Sequence, residues 1–273
     1  MSKKILLAGG CSFTDKRYRS PDKSIPEDQR GGWEYWPELM AKELDLECIN
    51  VGLCGRGADF IFNEVVKQIT IYGDRIDTVA VLWSGSDRTQ FHTYCFMPIY
   101  EIYDAPLLGD RDPLSWMDEI GIGKINRKFW NSPGFHKGVY YNMMENQLIK
   151  MVSLFEICKA RGIKLIMAQG VLFLDFIALE KMHKSGNLPD RAYISRKEIF
   201  DYLIKNPLFQ YLEENKNQII GWPFYETLGG TAFSHIMNRK KECYISPEDH
   251  HPNALGQQVL SEYFIKKHRE LYV

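Results

Sequence analysis

Five short strand candidates, most of them apolar runs, separated by longer stretches with helical spacing, restrict this chain more than any other feature. Ile5-Leu6-Leu7-Ala8 is continuous and is closed by Gly9-Gly10. Residues 47–51 end before Gly52, Gly55 and Gly57, and residues 78–83 end in a Ser-Gly-Ser turn. Residues 163–168 and, more weakly, 218–222 complete the set. Runs this short and unalternating are the mark of strands covered on both faces. Between them, Ile61, Val65 and Ile69 recur at helical steps, as do Met144, Leu148, Met151, Phe155 and Cys158 within 138–161. Pro37 suits the first turn of a helix starting near Trp36, Asn253 begins a last helix, and residues 171–216 read as mostly helical.

Strand and helix in alternation predict an α/β fold: a parallel sheet between two helical layers, α/β/α, of the five-stranded flavodoxin-like kind. In such a sheet, sites form where strands end at their carboxyl ends. The turns after the first three strands should therefore lie side by side. At 273 residues, a single domain spanning 1–273 is expected. Residues 90–135 mix aromatics, prolines and charges without periodicity and read as an insertion beside the active face. The polar stretch 15–32 reads as a surface loop.

A net charge of −1 with scattered Lys and Arg gives no electrostatic footprint for nucleic acid. The six cysteines form no CxxC pair, so a zinc ribbon or dithiol centre is not indicated, and reduced thiols are expected. No run is long enough for a membrane span, and the first apolar run is too short for a signal-peptide core. A cytoplasmic location is the expectation. Neither GxGxxG nor GxxxxGK[ST] follows the first strand, which argues against a nucleotide-binding domain.

Four segments carry chemistry. Gly9-Gly10-Cys11-Ser12-Phe13-Thr14 puts a serine in a glycine-assisted turn past a buried strand, where it can be held exposed above the sheet and its N–H can help bind an oxyanion. Asn50-Val51-Gly52-Leu53-Cys54-Gly55 offers a backbone N–H with no side chain in the way. Ser84-Gly85-Ser86-Asp87 can supply a short side-chain donor. In Glu248-Asp249-His250-His251-Pro252-Asn253, an acid just before a histidine can orient its imidazole, leaving the other nitrogen to take a proton from a serine. Taken singly, each segment also reads as an ordinary turn or cap, and the His-His pair as a metal-ligand fragment.

Their order resembles the SGNH (GDSL-like) hydrolase family, over most of the chain from Gly10 to Gly256. The resemblance implies Ser12 as nucleophile, His251 as base, and Ser12, Gly55 and Ser86 around the oxyanion. There are three departures. Cys11 stands where the family has the acidic residue of Gly-Asp-Ser-Leu. Glu248 stands where the triad aspartate usually lies, with Asp249 one residue nearer the histidine; Asp249 is the favoured acid and Glu248 the alternative. Ser86 takes the place of the oxyanion asparagine. Cys11 competes with Ser12 as nucleophile, but neighbours at a strand end point in different directions.

The resemblance implies hydrolysis of a small-molecule or glycan ester through an acyl-enzyme, with no cofactor and no metal. An O-acyltransferase with the same triad, or a catalytically impaired binding or structural module, is the alternative. Trp33, Trp36, Trp83 and the aromatics of 90–135 serve either as cleft lining or as core.

Overall fold

The computed structural model describes residues 3–86, 89–91, 100–102, 137–170, 176–186, 188–222, 241–247 and 249–273. The strands are β1 (Ile5–Gly10), β2 (Glu47–Asn50), β3 (Ile76–Trp83), β4 (Thr89–Phe91), β5 (Tyr100–Ile102), β6 (Lys164–Gln169) and β7 (Ile219–Ile220). The α-helices are α1 (Trp36–Glu43), α2 (Ala58–Tyr72), α3 (Gly138–Ala160), α4 (Phe176–Lys184), α5 (Arg196–Leu203), α6 (Pro207–Glu214) and α7 (Ala254–Tyr272).

Five strands form one sheet in the order β2-β1-β3-β6-β7, every neighbouring pair parallel. This is the flavodoxin-like order expected from the alternating pattern. β3 begins two residues earlier than its apolar run, because Ile76 pairs with Ile5 across a register shift. Of the segment 90–135, residues 90–91 and 100–102 are described; they belong to a two-stranded antiparallel sheet, Thr89–Phe91 against Tyr100–Ile102, and the rest of that expected insertion lies outside the described residues.

Side chains alternate across a strand, and here the alternation builds two cores. Ile5 and Leu7, Val79, Val81 and Trp83, and Leu165 and Met167 join Ile61, Val65 and Ile69 of α2 and Met144, Leu148 and Met151 of α3. Leu6 and Ala8, Ala80 and Leu82, and Ile166 and Ala168 join Trp36 and Met40 of α1 and Leu260 and Phe264 of α7. Ala8 lies opposite Ala80 in the ladder. The two small residues share the second core with Trp36 and Phe264, whose rings stack at 4.3 Å and 11°. Truncating Phe264 to alanine would cost about 3–5 kcal/mol. Trp36 and Trp83 are both fully buried, so these two tryptophans are core rather than cleft lining.

Because β2, β1 and β3 are adjacent, their three carboxyl-end turns are neighbours. Helix α7 contacts α1 and reaches β6 and β7, which brings the segment before it to the same edge.

Candidate active site

The turn after β1 is held by its own backbone and then by distant groups. The Cys11 carbonyl accepts from the N–H groups of Thr14 (2.9 Å) and Asp15 (3.0 Å). The Asn50 amide donates to the Thr14 carbonyl (2.8 Å), while the Gln257 amide of α7 donates to the Phe13 carbonyl (3.1 Å). Gln257 also accepts from the Trp36 N–H (3.0 Å), tying α1, α7 and the serine turn together. Thr14 leaves no room beside it: a Cβ at Gly10 would lie 2.1 Å from its Oγ1, and one at Gly52 2.7 Å from its Cβ. Glycine at both positions is a packing requirement. Cys11 is fully buried in the second core, while the adjacent Ser12 points its hydroxyl to His251.

His251 arrives on a turn that the start of α7 anchors. Asn253 is the N-cap: its side-chain oxygen accepts from the Gly256 N–H (3.0 Å), and its amide donates to the carbonyls of Glu242 (2.7 Å) and Tyr244 (2.9 Å). The His251 carbonyl accepts from the Ile245 N–H (2.9 Å). Asp249 then orients its own neighbour. One carboxylate oxygen accepts both the His251 backbone N–H (3.1 Å) and Nδ1 (2.5 Å). His251 Nε2 lies 2.8 Å from Ser12 Oγ. The second Asp249 oxygen accepts from the Tyr18 hydroxyl (3.0 Å), and the Ser20 side chain also bonds this carboxylate.

These contacts fix the protons. Burial alone would push the Asp249 carboxyl up, but the hydrogen bond and charge of His251, with the bond from Ser20, outweigh it and hold it well below the usual carboxylate range. An ionised Asp249 can only accept, so Nδ1 carries the hydrogen between them, and in the neutral ring Nε2 would be the lone-pair nitrogen facing Ser12. The arrangement can take a proton from Ser12 and compensate the imidazolium that results. Of the two candidate acids, Asp249 is the one at Nδ1; Glu248 lies outside the described residues.

The second and third turns are placed differently. Gly55 has φ +82°, a backbone that favours glycine, and its neighbour Cys54 donates its N–H to the buried Asp15 carboxylate (2.9 Å). The other Asp15 oxygen takes the Arg17 N–H and Nε, each at 3.0 Å. After β3, the Ser84 carbonyl accepts from the buried amides of Gln147 (3.2 Å) and Gln169 (2.6 Å), and Ser86 is buried at the end of this turn. Asp87 lies outside the described residues.

Several participants escape the sequence patterns, among them Tyr18, Asp15 and Gln257. Tyr18 and Asp15 sit in the stretch that reads as a polar loop, and their partners are 231 and 39 residues away. The signal that could have found Asp15 is its place three residues after Ser12. Among the described residues no group of three or more His, Cys, Asp or Glu side chains could hold a metal, and no helix is long and apolar enough to cross a membrane.

No family model matches the chain, and no curated protein matches it. Solved structures are similar over nearly its whole length. A protein named as a lipolytic protein of the G-D-S-L family, from Desulfitobacterium hafniense DCB-2, is 13% identical, over 97% of this chain and 99% of that one, with a TM-score of 0.47. A protein named as a GDSL-like lipase, from Parabacteroides merdae ATCC 43184, is 14% identical, over 97% and 95%, with a TM-score of 0.45. A catalytic mutant of Axe2, an acetylxylan esterase from Geobacillus stearothermophilus, is 13% identical, over 97% and 94%, with a TM-score of 0.43. The functional reading therefore stands on this chain's own residues.

Proposed function

We propose that this chain is a serine-dependent ester hydrolase of the SGNH kind, cleaving a small-molecule or glycan ester such as a carbohydrate O-acetyl or other short acyl ester. The observation that carries the reading is the chain of contacts from Ser12 Oγ to His251 Nε2 (2.8 Å) and from Nδ1 to Asp249 (2.5 Å), set at the carboxyl edge of a parallel sheet.

Ser12 Oγ bonds to the ester carbonyl carbon as its proton passes to His251 Nε2. Asp249 balances the imidazolium. The carbonyl oxygen, now an oxyanion, is met by the backbone N–H groups of Ser12 and Gly55 and by Ser86. When it collapses, the alcohol leaves with the proton from Nε2, and Ser12 carries the acyl group. Water then bonds to the acyl carbon as its proton passes to His251 Nε2; the bond from Ser12 Oγ to that carbon breaks, Nε2 returns the proton to Oγ, and the carboxylic acid leaves. The chemistry is complete with these side chains and water.

The test is steady-state hydrolysis of p-nitrophenyl acetate by the parent and by Ser12→Ala. Loss of turnover in the variant, with an unchanged circular dichroism spectrum, supports the reading. Full activity in Ser12→Ala, or none in the parent across short acyl esters, overturns it.

A further inference from the structure

The loop after the serine turn brings an aromatic ring to the base. Tyr18 is half-buried. Its ring stacks on His251 with centroids 4.0 Å apart and planes at 25°, and Phe13 meets the imidazole edge-on at 4.9 Å and 72°. The same Tyr18 hydroxyl donates to the Asp249 oxygen that His251 leaves free. Its backbone is fixed as well: the Tyr18 N–H donates to the Asp15 carbonyl (2.9 Å), and the Tyr18 carbonyl accepts from the Tyr35 hydroxyl (3.2 Å).

We propose that Tyr18 is a positioning residue for the base, its ring holding the imidazole in line with Ser12 and its hydroxyl holding Asp249 against Nδ1. The inference rests on the reading of Ser12, His251 and Asp249 as a working triad. It assigns a role to a residue outside the four motifs. Burial, then the charge and hydrogen bond of Asp249, push the Tyr18 phenol far above its ordinary value, so it donates throughout the working pH range; the thiol of Cys54 and the phenol of Tyr35 act in the same direction.

The two halves of Tyr18 act oppositely on the protonated base. A ring face against the imidazole favours the cation. A donor on Asp249 withdraws charge from the carboxylate that stabilises that cation. Among the described residues, the groups facing His251 are Asp249 at Nδ1, Ser12 at Nε2, and the rings of Tyr18 and Phe13. Tyr18→Phe keeps the ring and drops the donor, so the acid limb of activity should move upward. Tyr18→Leu drops both, so its limb should lie below that of Tyr18→Phe.

The experiment measures the rate of Ser12 modification by an organophosphonate against pH, with kcat and KM for p-nitrophenyl acetate, in the parent and both variants. The expected result is an acid-limb midpoint about half a pH unit or more higher in Tyr18→Phe than in the parent. Tyr18→Leu should fall about half a unit below Tyr18→Phe. In both variants kcat should fall with KM nearly unchanged. Coincident pH profiles for parent and Tyr18→Phe, or a loss confined to KM, would overturn the role while leaving the triad intact. Failure of the parent to react at Ser12 would instead remove the triad reading, and this inference with it. Tyr18→Phe changes one oxygen atom, so it keeps the test decisive if Tyr18→Leu does not fold.

Discussion

The proposed base side and the proposed oxyanion side of the site are built in different ways. On the base side the contacts that orient the histidine and anchor its turn are local, although its partners Ser12 and Tyr18 come from the other end of the chain. Asp249 reaches a residue two positions ahead, and Asn253, two further on, caps the helix that anchors the turn. On the oxyanion side the placement is long-range. Gly55 is carried by a turn tethered to Asp15, and Ser86 by a turn whose Ser84 carbonyl is held from α3 and β6. A local device tolerates change elsewhere in the chain. A tethered one depends on carboxylates and amides that touch no substrate.

This difference sets an order of expected effects. Breaking the base side should cost most. Ser12→Ala and His251→Ala should each lower kcat for a short acyl ester by about 10⁴–10⁶-fold, read by steady-state kinetics. Asp249→Asn keeps the shape but loses the charge that selects the Nδ1–H tautomer, and should cost about 10³–10⁴-fold. On the oxyanion side, Ser86→Ala should cost about 10²–10³-fold in kcat with KM little changed, if its hydroxyl is the third donor. Asp15→Ala acts one step removed, by freeing the Cys54 N–H, and should cost about 10–100-fold, less than a direct donor. A kcat loss in Asp15→Ala equal to that of Asp249→Asn would erase the distinction between local and tethered placement.

The smallest effect concerns stability. The Asp249 carboxyl lies below its ordinary value in the folded protein. Its contribution is therefore present above the ordinary carboxylate range, near pH ~4, and is lost as pH falls toward the folded value. The Tm difference between the parent and Asp249→Asn, measured by scanning calorimetry, should shrink by a few degrees as pH drops from about 6 to about 3.

The same contrast explains how much was legible in the sequence. The runs of β1, β3 and β6 announce the centre of the sheet, because a strand buried on both faces reads as nearly continuously apolar; β2, Glu47–Asn50, is an edge strand of exposed and half-buried residues, and its closing glycines rather than its composition mark it. α3 was readable from its repeat over 138–161, and the last helix from Asn253, an N-cap whose bond to Gly256 is local. The Asp249–His251 pairing was legible for the same reason. Tyr18 and Asp15 were not. Their segment has no periodicity, and each acts on a partner that only the folded topology brings near. Trp36 and Trp83 were ambiguous because an aromatic ring serves a core and a cleft equally well; the register of β3 decides it for Trp83, and the packing of α1 against α7 for Trp36.

The most direct measurement is intact-mass and peptide mapping after reaction with an organophosphonate under native conditions. A single adduct on Ser12 is expected, absent in Ser12→Ala, slowed at least about 10³-fold in His251→Ala, and formed without any added metal or cofactor. An unmodified parent beside a reacting control hydrolase, or an adduct that persists in Ser12→Ala, would contradict Ser12 as the nucleophile.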